Sequence, residues 1–445
     1  MAVIGTGDFG RSFVFQSTGT PGLEVVAVCD TDGDAATNAL ARAGIASDRV
    51  VTATTSSDAK AAAQAGKLVS TCDVALLADV DVDVVVEATG NAEAAARHAR
   101  EAIAAGRHVV MVSKEADSVV GALLAAEASA AGVVYTPVDG DQPALLIQKV
   151  LWAKICGMEL ICAAKASEYD FVWDEAAGTV SCLDRTVSVP DFGSLWQMTT
   201  PSEIVAARST MLAGLPQHTV ADQTEMAIVA NALELEVDTP AFHAPIARVT
   251  EIADILTTKA RGGILDHSGV VDVVNLLRRP DEFSLAGGVF VVVACDDERT
   301  WEMLARKGHL VSRDRRSAVI PEPVHLLGVQ SATTVLLAAV ERRSSGSGTQ
   351  TAKFDVVARA NKPIPAGTVL TPNGAHHSID GLDGRLVPAG PVRGDAPVPF
   401  HMASGCTLAA NLSAGEDLTL AHLHAPQAST LWAMRREMDA RFWGD

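Results

Sequence analysis

Positive charge is scarce in this chain of 445 residues. Lys and Arg total 35 against 54 Asp and Glu, which gives a formal net charge of −19. Recognition of a nucleic-acid backbone or an anionic membrane surface requires clustered Lys and Arg. No apolar run reaches the roughly 18 to 20 residues that span a bilayer. The sequence therefore predicts no nucleic-acid partner and no membrane association.

Cysteine is also sparse. The seven cysteines form no C-x-x-C motif, which is typical of reduced thiols and not of a disulfide framework. The chain opens on a strand pattern and not on the basic and apolar regions of a signal peptide. These absences favour a cytoplasmic protein. The first predicted strand, residues 2–4, begins directly after Met1. We therefore leave open whether a further segment precedes Met1 in the natural protein.

What the sequence does contain is a series of apolar runs that alternate with alanine-rich segments. Hydrophobic residues make up 48% of the chain, and its length predicts two or three domains. Val- and Ile-rich runs without polar alternation are typical of buried parallel strands, and strand–helix alternation predicts a doubly wound Rossmann sheet. The predicted strands are 2–4, 23–29, 82–88, 108–112 and 133–137, and the predicted helices include 91–105 and 115–131.

The remaining chain predicts four further units. We expect an α+β substrate and dimerisation domain at 138–341, a flexible linker (RRSSGSGTQ) at 342–350, a small Pro- and Gly-rich all-β domain at 351–425 and a closing helix at 426–445. The polar segment 48–81 is expected to decorate an edge of the first sheet. No group of side chains shows metal-ligand spacing, so no metal is predicted. The pair His376–His377 is expected to be exposed in a loop of the β domain.

The segment GTGDFG follows the first predicted strand and precedes a helix. In such a turn Gly5 allows the tight bend, Gly7 lets the backbone approach a pyrophosphate, and Gly10 lets the helix pack closely on the strand. The helix N-terminus offers N–H groups to the phosphates. The alternative is a purely structural glycine turn. The residues expected to bind a dinucleotide here are Gly5, Thr6, Gly7, Asp8, Phe9 and Gly10.

Asp30 ends the second predicted strand, 20 residues past Gly10. Its carboxylate is placed to accept hydrogen bonds from the adenosine ribose, which favours NAD slightly over NADP. Arg11 is a residue that would accommodate NADP instead. The segment 87–90 (EATG) ends another strand at the same edge of the sheet, so Ala88, Thr89 and Gly90 are expected on the nicotinamide side.

Lys114 follows the strand VVMVS and begins a helix. A lysine at this edge is placed to polarise or protonate a carbonyl while hydride is transferred, and desolvation is expected to lower its pKa toward neutrality for that task. The alternative is a solvated lysine at a helix start.

The segments GTGDFG, VVEATGN and HVVMVSKEA resemble homoserine dehydrogenases and the wider glucose–fructose oxidoreductase-like class. Later segments are similar to one branch, described as 1-deoxy-D-xylulose 5-phosphate reductoisomerase-like, which carries a C-terminal SAF domain. These segments are VDGDQPALL (138–146), AAKASEYDF (163–171), VTEIADILTTKARGGILDHSGVVDVVN (249–275) and PEPVHLLGV (321–329). The doubled phrases IPAGTVL and LSAGEDL resemble a SAF β-clip. The resemblance spans almost the whole chain.

The resemblance implies an NAD(P)-dependent oxidoreductase that acts, with or without rearrangement, on a small polar hydroxy-carbonyl compound such as a sugar-derived or phosphorylated polyol or keto compound. It places Lys114 beside the nicotinamide and Lys165 in the substrate segment. Positive charge in a low-dielectric cleft suits a carboxylate or phosphate, and histidine suits acid–base work. The expected catalytic residues are Lys114, Asp141, Lys259 and His325, and the expected substrate contacts are Asp139, Lys165 and Glu168, with Glu225 as a weaker candidate.

Two departures from the branch stand out. Glu322 lies in the lead-in to the P-x-H-L turn, and this acidic residue disfavours a phosphate. In the turn at 165–170, Glu168-Tyr169-Asp170 replaces the Asn that the branch has after an aromatic residue. We therefore do not carry over the isoprenoid-precursor reaction. Homoserine dehydrogenase activity, a non-catalytic NAD(P)-binding sensor and a β domain that binds a sugar-like ligand remain alternatives. A homodimer or homotetramer is the expected assembly.

Overall fold

The computed structural model describes residues 1–294, 297–374 and 377–444. Within residues 1–137, all of which are described, seven parallel strands form one sheet in the order β3-β4-β2-β1-β5-β6-β7. The strands are β1 (Ala2–Ile4), β2 (Ala27–Cys29), β3 (Val50–Thr52), β4 (Leu68–Thr71), β5 (Val84–Glu87), β6 (His108–Met111) and β7 (Tyr135–Pro137). The crossover helices are α1 (Asp8–Ser17), α2 (Gly33–Arg42), α3 (Ser56–Gln64), α4 (Ala92–Ala104) and α5 (Lys114–Ala131). The predicted Rossmann fold is confirmed.

The segment 48–81 corrects the sequence-based expectation, because it is part of the sheet. It contributes β3, α3 and β4, and β4 lies between β3 and β2. β4 reads LVST, and its Ser70 and Thr71 are buried although they are polar. The strand ladder satisfies the backbone, so a half-polar strand is stable there. The second strand is also shorter than predicted, because it begins at Ala27 and not at residue 23.

The second domain is built on a mixed sheet, for which the described residues give the order β11-β10-β9-β14-β8-β15-β17-β16, with β12 and β13 also paired to β14. Its apolar strands β8, β14 and β15 are buried almost throughout. The strands are β8 (Leu160–Ala166), β9 (Phe171–Asp174), β10 (Thr179–Cys182), β11 (Arg185–Ser188), β12 (Glu236–Val237), β13 (Ile246–Ala247), β14 (Val270–Arg278), β15 (Val289–Ala294), β16 (Leu310–Val311) and β17 (Ser317–Glu322).

The helices of the second domain are α6 (Gln142–Ile155), α7 (Pro201–Met211), α8 (Val220–Leu233), α9 (Ile252–Ile255), α10 (Glu298–Arg306) and α11 (Ser331–Leu336). Two of them contact the nucleotide-binding domain. α8 packs against both α5 and α6, and α11 packs against α1. The segment 342–350 is not a detached linker as expected, because Ser345 is buried and its N–H bonds to the Thr136 hydroxyl at 2.9 Å.

The C-terminal module, residues 354–424, is made of short antiparallel strands: β18 (Phe354–Ala360), β19 (Pro372–Asn373), β20 (Ser378–Ile379), β21 (Leu382–Pro388), β22 (Thr407–Leu408) and β23 (Leu423–His424). The two doubled phrases face each other, since Ile364 and Leu412 exchange both backbone hydrogen bonds at 2.9 Å. The SAF assignment of this module stays a prediction.

The closing helix α12 (Thr430–Trp443) covers α4 and α5. Its first turn is capped by Glu93, which accepts from the Thr430 and Leu431 backbone at 2.6 and 3.1 Å. Arg435, fully buried, forms a bidentate pair with Asp355 of β18. α12 thus ties the C-terminal module to the nucleotide-binding domain.

Candidate functional site

The glycine turn has the geometry that a pyrophosphate requires. A Cβ on Gly5, whose φ is +91°, would lie 2.5 Å from the Ala88 carbonyl oxygen, and one on Gly10 would lie 1.9 Å from the Gly5 oxygen. A Cβ on Gly7 would meet no atom within 4 Å. Gly5 and Gly10 therefore allow close packing, while open space beside Gly7 and the N-terminus of α1 fit a dinucleotide phosphate.

Asp30 organises this turn from the end of β2. Its carboxylate accepts hydrogen bonds from the Thr6 N–H and hydroxyl, both at 2.6 Å, and from the Asp32 N–H at 3.0 Å. Burial acts to raise the pKa of Asp30, but these donors outweigh it and lower the pKa. A charged Asp30 keeps lone pairs for ribose hydroxyls. Arg11 is paired with Asp8 on the surface of α1.

The loop after β5 is fixed by a buried acid that sequence reasoning did not assign. Glu87, fully buried, accepts hydrogen bonds from Thr89 at 2.7 Å and from Ser113, and lies 3.2 Å from His98. The Ser113 hydroxyl also accepts from the Gly90 N–H at 2.8 Å. This network holds residues 88–90 at the carboxyl edge of the sheet, where nucleotides bind in such folds.

Lys114 begins α5 and points into the junction with the second domain. Its ammonium contacts Glu225 of α8 and lies 3.3 Å from Asp141, the residue that caps α6. Burial acts to lower the pKa of Lys114, but the two carboxylates outweigh it and raise the pKa well above its ordinary value. The expected fall toward neutrality is therefore wrong for this arrangement, because opposite charges stabilise the ammonium.

Lys165, on β8, contacts the same glutamate as Lys114. It is fully buried and pairs with Asp222 at 2.7 Å and with Glu225. Burial acts to lower the pKa of Lys165, but the carboxylates of Asp222 and Glu225 raise it above its ordinary value. Ser167 donates to the second Asp222 oxygen at 2.9 Å. The five side chains that we call the charged cluster are Lys114, Asp141, Lys165, Asp222 and Glu225.

Two buried polar atoms beside the charged cluster have no hydrogen-bond partner among the described residues. They are Nε2 of His325 and Oε1 of Gln142. The His325 Nε2 lies 3.6 Å from an Asp141 oxygen, just beyond hydrogen-bond range. Buried polar atoms in native proteins are nearly always satisfied. These two atoms therefore fit a ligand with its own donors and acceptors.

The turn that carries His325 also touches the nucleotide-binding domain. It continues into a short helical turn, Leu327–Val329, which lies on α1. A Cβ on Gly328 would be 2.8 Å from the Phe13 nitrogen, so only glycine allows this approach. A single turn thus connects the region of the glycine motif with the charged cluster.

Three other expected site residues lie elsewhere or at the margin. Asp139 holds the turn before α6, where it accepts from Gln148 and from Thr333 of α11. Lys259 is exposed at 61% and pairs with Asp266. Glu168 lies 3.5 Å from Gln142, at the edge of the cluster.

Sequence reasoning missed Asp222, and gave Glu225 little weight. Both lie on α8, three residues apart, in a helix whose other residues are largely apolar and buried. Acids at that spacing share one helix face. This pattern in an otherwise apolar helix was the available signal.

Among the described residues, no group of three or more His, Cys, Asp or Glu side chains is placed to hold a metal ion. In the same ranges, no helix is long and apolar enough to cross a membrane. His376 lies outside the described residues. His377 is not the solvent-exposed residue expected, because its side chain is 31% exposed and lies against Gly90.

Two protein-family models match the chain. The NAD-binding domain of homoserine dehydrogenase matches residues 5–137, and the catalytic domain of oxidoreductase DRL matches residues 140–331. The first domain is therefore similar to the NAD-binding domain of homoserine dehydrogenase. More particularly, the second domain is similar to the catalytic domain of oxidoreductase DRL. The resemblance drawn from the sequence is confirmed for these two parts.

Solved structures show more distant likeness. WlbA dehydrogenase from Bordetella pertussis is 18% identical over 39% of this chain and 48% of its own, with a TM-score of 0.28. Myo-inositol dehydrogenase from Lactobacillus casei is 21% identical over 39% of this chain and 47% of its own, with a TM-score of 0.27. A probable dehydrogenase from Thermotoga maritima is 12% identical over 78% of this chain and 90% of its own, with a TM-score of 0.39. The chain thus spans about half the length of the first two. Comparison with curated proteins finds no match.

Proposed function

We propose that this protein oxidises or reduces a small, uncharged, polyhydroxylated carbonyl compound, with the dinucleotide on the glycine turn and the substrate at the charged cluster. The observation that carries the proposal is a pair of buried atoms without a hydrogen bond, on His325 and Gln142, next to Asp141, the carboxylate that pairs with Lys114. A bound nicotinamide supplies or accepts the hydride. The chain's own side chains must then bind the substrate and move one proton.

The charges of the cluster favour a neutral substrate. Lys114 and Lys165 are both matched by carboxylates, and three carboxylates face two ammonium groups. No positive charge is left over in the cluster to neutralise a phosphate or a substrate carboxylate. Hydroxyl groups, which donate and accept, suit such a mixed surface, so an unphosphorylated polyol or keto compound is favoured over a phosphorylated one.

Lys114 is the proposed proton donor to the developing alkoxide in the reduction direction. Its ammonium is held in the charged form by Asp141 and Glu225, so it polarises a carbonyl by a charged hydrogen bond. His325, with an unsatisfied Nε2 near Asp141, is the proposed partner for a second substrate hydroxyl. Lys165 is too buried to reach solvent, and it is proposed to position Glu225.

The test is a screen of NAD(P)-linked absorbance change with aldoses, ketoses, polyols, hydroxy acids, phosphorylated sugars and homoserine. Turnover is expected with a neutral polyhydroxylated compound. Lys114→Ala is expected to lower kcat by about 10²- to 10⁴-fold while NADH binding, measured by fluorescence, is retained. The matched control is Lys154→Ala, an exposed lysine on α6, which is expected to change neither.

Turnover confined to phosphorylated compounds would contradict the charge argument, and turnover with homoserine would favour the alternative activity. Full activity of Lys114→Ala would exclude its role as proton donor. Cofactor binding without turnover of any compound in the screen would favour the sensor hypothesis.

A further inference from the structure

A cavity of about 580 Å³ lies between the nucleotide-binding domain and the C-terminal module. The first domain contributes the loop and helix start at 90–93 and Glu115 of α5. The module contributes polar and apolar side chains, and α12 contributes Trp432. Cavities of this size commonly hold part of a cofactor or a small ligand. His377 and His401 are among the side chains that the module contributes.

His377 brings the module into contact with the loop assigned to the cofactor. Its Nε2 lies 3.6 Å from a Glu115 carboxylate oxygen. The same atom would be 3.1 Å from a Cβ built on Gly90. His377 lies in a turn and has a φ of +51°, a conformation that non-glycine residues rarely adopt.

We propose that His377 and Glu115 bind the ribose hydroxyls on the nicotinamide side of the cofactor, so that the C-terminal module completes the dinucleotide cleft. This inference rests on the proposed function. An imidazole and a carboxyl group, side by side, offer the donors and acceptors that a vicinal diol needs.

The charge of the cavity agrees with a sugar and not with a phosphate. None of the described residues that line it is Lys or Arg. The phosphates have their own place at Gly7 and the N-terminus of α1. Burial raises the pKa of Glu115 to about 7, and a buried carboxyl group gains from hydroxyl donors whether or not it is charged.

The position of the loop 88–90 along the sheet also agrees with binding of the nicotinamide ribose. Asp30, at the end of β2, marks the adenosine side, and the loop 88–90 follows β5, two strands away in the sheet order. A dinucleotide that crosses the glycine turn from Asp30 reaches the loop 88–90 next. His377 lies directly beyond Gly90.

The experiment compares two probes by calorimetry on the full chain. NADH contains the nicotinamide riboside, whereas ADP contains only the adenosine and the two phosphates. His377→Ala is expected to raise the Kd of NADH about 3- to 10-fold, the effect of losing one hydrogen bond, and to leave the Kd of ADP within about twofold. Lys362→Ala, an exposed lysine of the same module, is the matched control.

A second variant approaches the contact from the other side. Gly90→Ala directs a methyl group at the His377 ring and also strains a backbone with a φ of +66°, so it is expected to weaken NADH binding selectively as well. Thermal unfolding shows whether each variant is folded. Unchanged NADH binding in folded His377→Ala, or an equal loss for NADH and ADP, would overturn the inference. If the wild-type chain binds neither probe, the proposed function itself fails, which is a different result.

Discussion

Replacing Lys165 by methionine tests whether the charged cluster is a buried network that depends on its two lysines. Lys165→Met keeps most of the apolar stem but removes the ammonium between Asp222 and Glu225. At the 2.7 Å that separates Lys165 Nζ from Asp222, the attraction is about 6 kcal/mol for an effective dielectric constant near 20. The desolvation of the lysine offsets part of this. Breaking a buried pair costs about 3–5 kcal/mol overall, and we expect a loss of that size in the free energy of unfolding at pH 8.

The loss should shrink on acidification. Burial acts to raise the pKa of Asp222, but the Lys165 ammonium and the hydrogen bonds to Asp222 outweigh it, so the pKa is lowered. Wild-type Asp222 therefore contributes stability above its unfolded pKa and loses it as the pH falls through the folded one. The raised pKa of Lys165 leaves that lysine charged throughout pH 5–8. In the variant Asp222 faces Glu225 without the Lys165 ammonium, so the pKa of Asp222 rises and its protonation on acidification relieves the repulsion.

Urea unfolding at pH 8 and pH 5 measures both quantities. The double variant Lys165→Met, Glu225→Gln restores the balance of charge and is expected to recover part of the loss. Lys154→Ala, on the exposed side of α6, should change the free energy of unfolding by less than about 0.5 kcal/mol. A loss below about 1 kcal/mol, or an equal loss at both pH values, would refute the view that these groups form a buried network.

Two further outcomes follow from single carboxylates. Asp30→Ala should raise the Kd of NADH more than that of NADPH in parallel fluorescence titrations, because only NADH presents an unmodified adenosine ribose to Asp30; an unchanged preference would remove Asp30 from that role. Burial raises the pKa of Asp117, which accepts a hydrogen bond from Tyr135, to about 6. Its stabilising contribution is present at low pH and lost as the pH rises through 6, so Asp117→Asn should raise the free energy of unfolding by about 2–3 kcal/mol more at pH 8 than at pH 4. A gain that did not depend on pH would show that Asp117 is not charged in the fold.

The nucleotide-binding domain could be predicted from the sequence because its signals are local. The glycine turn, the strand before it and Asp30 all lie within 30 residues of the start, and Gly5 and Gly10 have the close neighbours while Gly7 has the open space that their roles require. The charged cluster is different. Lys114, Lys165 and Glu225 are separated by dozens of residues, and only the packing of α8 on α5 and α6 brings them together.

Lys259 is the converse case. It belongs to the most distinctive segment of the sequence, and a lysine there suggested substrate binding. The structure places it in a short helical turn, Lys259–Arg261, where its side chain reaches solvent and pairs with Asp266. A motif identifies a segment, but the direction of one side chain depends on the turn geometry, which for Lys259 is set by backbone bonds to Leu265 and Gly262.

The C-terminal module also supports the site from behind α8. Thr224 and Gln223 of α8, next to Asp222 and Glu225, contact the module: the Thr224 hydroxyl lies 2.9 Å from His401 Nε2, and a Cβ on Gly384 would lie 2.0 Å from Gln223 Oε1. Burial lowers the pKa of His401 to about 3, so this contact is neutral. Because the contact is neutral, the module fixes the position of α8 without disturbing the charge balance on which the cluster depends.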